Sequence, residues 1–505
     1  MNHNEIMHLF YEIRQGYVPY DAEAKKLAEV EWLNLSSSEV PDLRGIEYFT
    51  GLKQLYLSGT SIERLDGIEA LQRLEVLALD HTCPICLEGL EKLPSLRTLS
   101  LAEADIRAFD TMKGNDTVEE LDLSGTRIKN LIGLDGFPNL RVLDISHTPT
   151  LRDLTGIEGA SKLRKVVLDD ANVTDITPLL GLEQLYELDL CCHSVQSVKG
   201  IEKLRGLHVL ALSFTGITSL EGVCELPELE ELYLLDTRLR DITGIGKLKN
   251  LKKLVLYNAK IGSLGEITQI SGLRELDVSG TNIKDLAGIE NLTELRRLGL
   301  GHVQIPDLEG LQYLRKLEKI NASFMPITNI ERLKWLPELK NLSLTCTPVS
   351  DITPLRRAVK MEKLSLGGTQ VASLAGVENM KHLRELNVNG TPLDSIEELR
   401  GCTEMKLLYC GSNNVSDISP IEGLTKLETL QLESSKVTKL ADVFGELKAL
   451  NYVNLCGLVL DGIPPSLEAL GMHYVVDHND DFGGRRLVMT DTVLRDQDKQ
   501  RFRTR

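Results

Sequence analysis

Residues 121–140 read LDLSGTRIKNLIGLDGFPNL, and almost the same pattern returns at residues 276–295 as LDVSGTNIKDLAGIENLTEL. A looser form, L-x-x-L-x-L-x-x-T, recurs along most of the 505-residue chain. From Val30 to Leu450 its frames are separated by seventeen steps of 22 residues and two of 23, and a truncated frame follows at Leu467. Such regularity predicts a tandem array of about twenty coils instead of several compact domains.

Each repeat can be interpreted physically. In Leu121-Asp122-Leu123 the side chains alternate, so the leucines point inward and the aspartate points out of a short parallel strand. A second apolar set, Ile128, Leu131 and Leu134, returns the chain on the opposite side of the coil. Glycines are expected where this return bends tightly, at Gly67, Gly156, Gly200, Gly222 and Gly288. One coil cannot bury both apolar edges, so neighbouring coils must stack.

The pattern resembles the leucine-rich repeat family, in particular its 22-residue class of bacterial internalins and the leucine-rich regulatory subunit of protein phosphatase 1. The stretch NNVSDISPIEGLTKLETLQL at 413–432 is the nearest copy, and the resemblance covers about residues 30–475. It implies an α/β fold, a leucine-rich repeat solenoid in the form of a horseshoe or arc. Its parallel β-sheet would line the concave face, and short 3₁₀ or irregular segments would line the convex face.

One position departs from that family, because threonine mostly replaces the asparagine whose side chain bonds backbone between coils. The threonines are Thr60, Thr82, Thr126, Thr148, Thr215, Thr237, Thr281, Thr347, Thr369 and Thr391, and Asn413 is the match to the family. A hydroxyl offers a single donor, so we expect a sparser ladder between coils.

The ends of the array need covers for their apolar edges. Ile6, Leu9, Phe10 and Ile13 recur at helical spacing, and a second helical pattern starts at Asp21. We therefore predict a helical N-terminal cap at 1–29 with Trp32 beneath it, a repeat domain at 30–474, and a C-terminal cap and tail at 475–505. A docking role for the helices is the alternative. Residues 475–476 and 487–494 are expected to form a capping hairpin around Gly483-Gly484.

Composition restricts the partners. The net charge of -17 and pI near 5.2 disfavour nucleic acid and anionic membranes, so we expect a neutral or basic protein or extended peptide. The N-terminal segment has no signal-peptide pattern, and nine scattered cysteines are typical of reduced thiols. These features predict a cytoplasmic protein that is monomeric when alone.

Three short motifs suggest chemistry but lack the context it requires. CPICLE at 83–88 resembles the start of a zinc finger, yet the next histidine is His147, too distant to complete a zinc site. CCHS at 191–194 places thiols beside His193 without an evident oxyanion donor, so a contact surface is favoured over nucleophilic catalysis. DFG at 481–483 lacks every other kinase signature. We predict no catalytic, cofactor or metal site.

The outward strand positions form columns, and two groups depart from their small polar character. The first is acidic and comprises Asp144, Asp169, Asp170, Glu187 and Asp189. The second is apolar and comprises Val209, Phe214, Tyr233, Leu235, Val255 and Tyr257. Apolar side chains beside charge are typical of an interface centre. Alternatively, neighbouring coils shield these side chains from one another.

A weaker second patch comprises Phe324, Met325, Leu407, Tyr409 and Tyr452. The resulting hypothesis is a non-enzymatic scaffold or adaptor that binds a protein across coils 6 to 11. Changing Tyr233 and Tyr257 to alanine would then cost about 2 to 4 kcal/mol of affinity. A regulatory subunit of a phosphatase, a substrate receptor of a ubiquitin ligase, and a signal-less secreted effector or surface ligand are the alternatives.

Overall fold

The computed structural model describes residues 3–82, 87–107, 113–471, 473–475, 486–488 and 493–494. The chain divides into two compact units, Met1–Leu251 and Lys252–Arg505. The CPIC part of the first motif, the DFG motif and Gly483-Gly484 lie outside the described residues.

The first unit begins with two helices, α1 (His3–Arg14) and α2 (Asp21–Ala28), as their apolar spacing predicts. Ten three-residue strands follow and pair in parallel, each with the next. They are β1 (Trp32–Asn34), β2 (Gln54–Tyr56), β3 (Val76–Ala78), β4 (Thr98–Ser100), β5 (Glu120–Asp122), β6 (Val142–Asp144), β7 (Lys165–Val167), β8 (Glu187–Asp189), β9 (Val209–Ala211) and β10 (Glu231–Tyr233).

The second unit repeats this arrangement and adds a different ending. Its strands are β11 (Lys253–Val255), β12 (Glu275–Asp277), β13 (Arg297–Gly299), β14 (Lys319–Asn321), β15 (Asn341–Ser343), β16 (Lys363–Ser365), β17 (Glu385–Asn387), β18 (Leu407–Tyr409), β19 (Thr429–Gln431), β20 (Tyr452–Asn454), β21 (Val459–Leu460), β22 (His473–Val475), β23 (Arg486–Val488) and β24 (Val493–Leu494), with α3 at Pro465–Glu468. β11 to β20 pair in parallel in chain order.

The register of the strands confirms the predicted repeat frame. Leu55 pairs with Leu77 and Leu77 with Leu99, a step of 22 residues each time. These central leucines are fully buried, whereas the flanking residues are mostly half-exposed. Burial of one leucine contributes about 1.5 to 3 kcal/mol, and every coil buries several, so stacking supplies the core. We call the side that carries the outward strand residues the sheet face.

The return of each coil contains a short 3₁₀ segment, and we call this opposite side the 3₁₀ face. Glycine precedes many of these segments in the left-handed conformation, for example Gly67 with φ of 92° and Gly156 with φ of 104°. At Gly156 a Cβ atom would lie 2.2 Å from the carbonyl oxygen of Leu131 on the preceding coil. The glycine is therefore required both by its backbone conformation and by the close approach of two coils.

The buried threonines bond within their own coil and not between coils as expected. In each of the ten, Oγ1 donates to the carbonyl oxygen three residues earlier, as in Thr126 to Leu123 at 2.6 Å. Neighbouring coils are instead joined by backbone bonds, such as Leu57 N–H to Ala78 O at 2.8 Å. Asn413 also acts locally, because its Oδ1 accepts the Val415 N–H at 3.1 Å.

Two expectations about the ends, on Trp32 and on Leu467, are wrong. Trp32 is not beneath the helices: it is 44% exposed on β1, with its ring 6.2 Å from that of Tyr56. Phe10 of α1 takes the buried place and packs edge-on against Phe49 at 5.9 Å. Leu467 lies in α3 instead of starting another repeat frame.

The strands near the C-terminus do not form the predicted hairpin. β23 pairs in parallel with both β20 and β22, so a later segment of the chain lies between two earlier ones. β21 and β24 form a separate parallel pair. The division into a cap at 1–29, repeats at 30–474 and a tail at 475–505 stays a prediction.

The turn after each of the strands β1 to β20, except β8, places a left-handed residue at the same position of the repeat. Thirteen non-glycine residues among the described ones have φ between 50° and 61° there. They are Ser37, His81, Glu103, His147, Asp170, Phe214, Asp236, Asn258, His302, Phe324, Cys346, Ser412 and Ser434. The N–H groups of most of these residues pair with the next coil, as in Phe214 N–H to Leu235 O at 2.7 Å. We call these positions the turn column.

Candidate protein-binding surface

The predicted acidic residues lie together on the sheet face of the first unit, and we call them the acidic cluster: Asp144, Asp169, Asp170, Glu187 and Asp189. Asp144 and Asp189 are the last residues of β6 and β8, with Val167 of β7 in register between them. Two strand spacings therefore separate them, or about 9 to 10 Å. Asp169 and Asp170 belong to the turn that follows β7.

The cluster is only partly neutralised by its surroundings. Lys165 Nζ lies 2.9 Å from Glu187 Oε1, and His147 Nδ1 lies 3.6 Å from Asp170 Oδ2. Burial raises the pKa of Asp169, and the charge of Asp189 raises it further. The cluster therefore holds like charges that a cationic group of a partner would relieve.

Backbone and hydroxyl donors fix two of the carboxylates. Asp144 Oδ1 accepts the Ser146 N–H at 2.9 Å and its hydroxyl at 2.6 Å. Asp189 Oδ1 accepts the Cys191 N–H at 3.0 Å. These bonds orient the carboxylates before any partner arrives, which lowers the entropy cost of binding.

Next to the acidic cluster lie four of the predicted apolar residues, which we call the apolar patch: Val209, Phe214, Tyr233 and Leu235. In the sheet, Val209 of β9 is in register with Glu187 and Glu231, so apolar and acidic positions adjoin. Phe214 is 42% exposed, and the other three are half-buried. Val255 and Tyr257 are half-buried residues of the second unit.

Two side chains of the apolar patch are held in place by neighbours. The Phe214 ring stacks on His193 at a centroid distance of 5.8 Å. Tyr233 donates from its hydroxyl to Glu231 Oε2 at 2.5 Å. An aromatic group that is ordered before binding loses little entropy on contact and is typical of a binding hot spot.

The CCHS turn supports this surface instead of forming a nucleophilic site. Cys192 is buried, its Sγ donates to the Leu168 carbonyl at 2.7 Å, and burial raises its pKa to about 12. Burial and a hydrogen bond with Asp189 also raise the pKa of Cys191 strongly. Neither thiol forms a reactive thiolate at neutral pH. His193 contributes its ring to the stack with Phe214.

Sequence reasoning missed an aromatic pair at the margin of the acidic cluster. Tyr186 is exposed, and its ring stacks on His208 at 4.3 Å with an interplanar angle of 19°. Tyr186 directly precedes β8, and His208 directly precedes β9. Tyr186 also lines a depression of about 620 Å³ together with Arg164, Lys165 and Glu187. The residue directly before a strand is charged in most coils, as at Arg141 and Glu230. The aromatic side chains of Tyr186 and His208 at this position could therefore have been recognised in the sequence as a departure from the pattern.

The second predicted patch is only partly brought to the surface. Met325 is 1% exposed and belongs to the core, because it occupies the buried threonine position of its coil. Phe324 is exposed in the turn column, stacked on His302 at 4.4 Å. Leu407, Tyr409 and Tyr452 are half-buried. On β12 to β17 of this unit lies a depression of about 390 Å³ with charged walls and a small polar floor.

A family model matches one segment of the repeat array. The model of the Leucine Rich repeats (2 copies) family matches residues 116–159, within the frame that the structure confirms. The chain is a leucine-rich repeat protein. No curated protein matches this leucine-rich repeat chain. Its membership of the 22-residue class stays a prediction.

Several solved structures share the fold of this leucine-rich repeat protein. A leucine-rich repeat protein of Leptospira interrogans is 20% identical, with a TM-score of 0.50 over 86% of this chain and 98% of the other. The plant peptide hormone receptor RGFR1 in complex with RGF2 is 17% identical, with a TM-score of 0.55 over 91% and 81%. TLR13 in complex with ssRNA13 is 15% identical, with a TM-score of 0.54 over 91% and 85%.

Proposed function

We propose that this leucine-rich repeat protein is a non-enzymatic scaffold or adaptor that holds a protein or extended peptide on the sheet face of its first unit. The partner places basic groups against the acidic cluster and an apolar side chain against the apolar patch. The observation that carries the proposal is the exposed Phe214 ring, ordered by His193 and adjacent to carboxylates that lack full neutralisation.

The chemistry of the two groups assigns them different tasks. Charge at the acidic cluster attracts a basic segment over a Debye length of about 8 Å and accelerates association. The aromatic side chains exclude water at the contact and slow dissociation. The structure of the plant receptor is of a complex with RGF2, and this supports peptide binding by the fold.

The compartment is part of the proposal. The seven described cysteines are free thiols, which supports a reducing environment such as the cytoplasm. Among the described residues, none of the helices is long and apolar enough to span a bilayer.

The test compares partner capture by the full chain and by matched variants. The double substitution Phe214→Ala and Tyr233→Ala removes the aromatic groups of the apolar patch. It should weaken the binding of a captured partner by about 2 to 4 kcal/mol, which raises Kd by about 30-fold to 900-fold. Phe324→Ala is the control, because Phe324 occupies the same turn position and also stacks on a histidine, but in the second unit.

Quantitative cross-linking identifies the partners, and calorimetry measures their affinity. The proposal requires that partners lost by the double variant are kept by Phe324→Ala. Equal capture by all three proteins, or turnover of a substrate by the purified chain alone, would contradict it.

A further inference from the structure

Three consecutive coils of the second unit expose large apolar or aromatic side chains on the 3₁₀ face. Tyr313 is 60% exposed, Trp335 is 42% exposed and Val359 is 50% exposed. Exposed groups of this size on neighbouring coils are unusual for a protein surface and mark interaction sites.

The aromatic residues and a cation share one register position. Tyr313, Trp335 and Arg357 are the last residues of the 3₁₀ segments Leu311–Tyr313, Glu331–Trp335 and Thr353–Arg357, and each is 22 residues from the next. In the 3₁₀ segments directly before and after these three, the equivalent position holds Asn291 and Asn379. Stacking of the coils therefore brings a tyrosine, a tryptophan and an arginine into one row.

Two cationic groups lie close to the Trp335 ring. Lys334 Nζ lies 5.5 Å from the ring centroid and Arg357 Cζ lies 5.7 Å from it. Arg315 Nη1 donates to the Trp335 carbonyl oxygen. Such cation–π contacts are attractive and hold the guanidinium beside the ring.

Arg357 of this row and the preceding residue, Arg356, are available to a partner. Within the described part of the chain, Arg356 and Arg357 are exposed and make no ion pair. The lysines nearby differ, because Lys316 pairs with Glu294 at 2.6 Å and Lys360 pairs with Glu338 at 2.7 Å. The region thus offers two guanidinium groups without an ion pair beside an apolar centre.

We propose that this aromatic–arginine patch, formed by Tyr313, Trp335, Arg356, Arg357 and Val359, docks an acidic segment of a partner protein that carries an apolar side chain. Carboxylates pair with the guanidinium groups, and the apolar side chain covers Trp335 and Val359. Tryptophan, tyrosine and arginine are the residues that dominate binding energy at protein interfaces.

A protein partner fits this chemistry better than a polyanion does. Nucleic acid binding needs many cations along a phosphate backbone, and here paired lysines and glutamates surround two free arginines. A short acidic segment needs only two carboxylates at the arginines. This second surface goes beyond the proposed function, since it lies in the other unit and on the 3₁₀ face.

The chain has two tryptophans, so Trp32→Phe leaves Trp335 as the sole indole reporter in the full-length protein. The probe is a synthetic twelve-residue peptide with four glutamates around a central leucine; its matched control replaces the glutamates with glutamines. We expect a saturable change in Trp335 fluorescence with the glutamate peptide and at least tenfold weaker binding of the glutamine peptide.

Charge reversal locates the site. The double substitution Arg356→Glu and Arg357→Glu should weaken the binding of the glutamate peptide at least tenfold. The control Arg73→Glu with Arg205→Glu changes the net charge equally at exposed positions of the first unit and should leave binding unchanged. Circular dichroism verifies that each variant is folded. Absence of peptide binding, equal loss in both double variants, or tighter binding of oligothymidylate than of the glutamate peptide would overturn the proposal.

Discussion

Asp169 lies partly buried in the acidic cluster within electrostatic range of Asp189 on the next coil, and burial together with that charge raises the pKa of Asp169 above its usual value of 3.8. Between these two pKa values the folded chain binds more protons at this site than the unfolded chain does. Asp169 therefore lowers stability progressively as the pH rises from 3.8 through the raised pKa. The charge of Asp169 is therefore kept at some cost to folding, which is consistent with the proposed binding of a partner at the acidic cluster.

Removing this charge should stabilise the protein at neutral pH. Asp169→Asn is expected to raise the urea midpoint at pH 7 and to have little effect well below pH 3.8, where the carboxyl group is protonated in both states. Asp153→Asn is the opposite control: the Thr155 hydroxyl and N–H lower the pKa of Asp153, so its charge stabilises the fold above 3.8. Urea titrations at several pH values measure the stability of both variants. If the two substitutions shift the urea midpoint at pH 7 in the same direction, the opposite roles of the two charges are contradicted.

Gly156 should be intolerant of any side chain. Gly156→Ala places a Cβ atom 2.2 Å from the Leu131 carbonyl oxygen at φ of 104°, so we expect a loss of about 2 kcal/mol or more. Gly181 is the matched control, because its Cβ would meet nothing within 4 Å and its φ is not positive. Thermal unfolding followed by circular dichroism compares the two variants. Equal melting temperatures would show that the close approach of the coils is not required.

The threonine hydroxyls should each stabilise their own coil. Thr126→Val keeps the shape of the side chain but removes the 2.6 Å bond to the Leu123 carbonyl, with an expected loss of about 1 kcal/mol. Thr126→Ser keeps the hydroxyl and should retain most of the stability. Hydrogen exchange of the amides in this coil and its neighbours measures the local effect. A valine variant as protected as the serine variant would contradict this role.

Cysteine reactivity should follow burial. Cys346 is exposed in the turn column, whereas burial raises the pKa values of Cys402 and Cys410 to about 11. Because the thiolate is the reacting species, iodoacetamide at pH 7.5 should label Cys346 at least tenfold faster than either buried thiol. Peptide mapping by mass spectrometry resolves the sites, with urea-unfolded protein as the control. Uniform labelling of the native protein would be inconsistent with the buried positions.

The register of the sheet was predictable because the 22-residue period fixes which residues share a column. The position of a residue in this repeat also determines whether its side chain is exposed. Two expectations were wrong because they were based on the type of residue and not on its position in the repeat. Met325 occupies the buried threonine position of its coil, so its hydrophobicity marks core and not surface. Trp32 occupies an outward position of β1 and is correspondingly exposed.

Other features depend on contacts that the period does not encode. The sequence predicts where Thr126 lies but not whether its hydroxyl bonds the same coil or the next. The parallel insertion of β23 beside β20 depends on pairing between distant segments. The aromatic row of Tyr313 and Trp335 lies on the 3₁₀ face, where the alternation of strand residues carries no information.

The turn column places chemically diverse side chains on one repeated backbone conformation. Histidine, glutamate, aspartate, phenylalanine, asparagine, serine and cysteine all occupy it with φ between 50° and 61°. A left-handed residue costs about 1 to 2 kcal/mol unless it is glycine, yet the stacked coils tolerate that cost repeatedly. Single substitutions in the turn column therefore change the side chains that the protein presents to a ligand. The backbone of the stacked coils can stay the same while binding specificity changes.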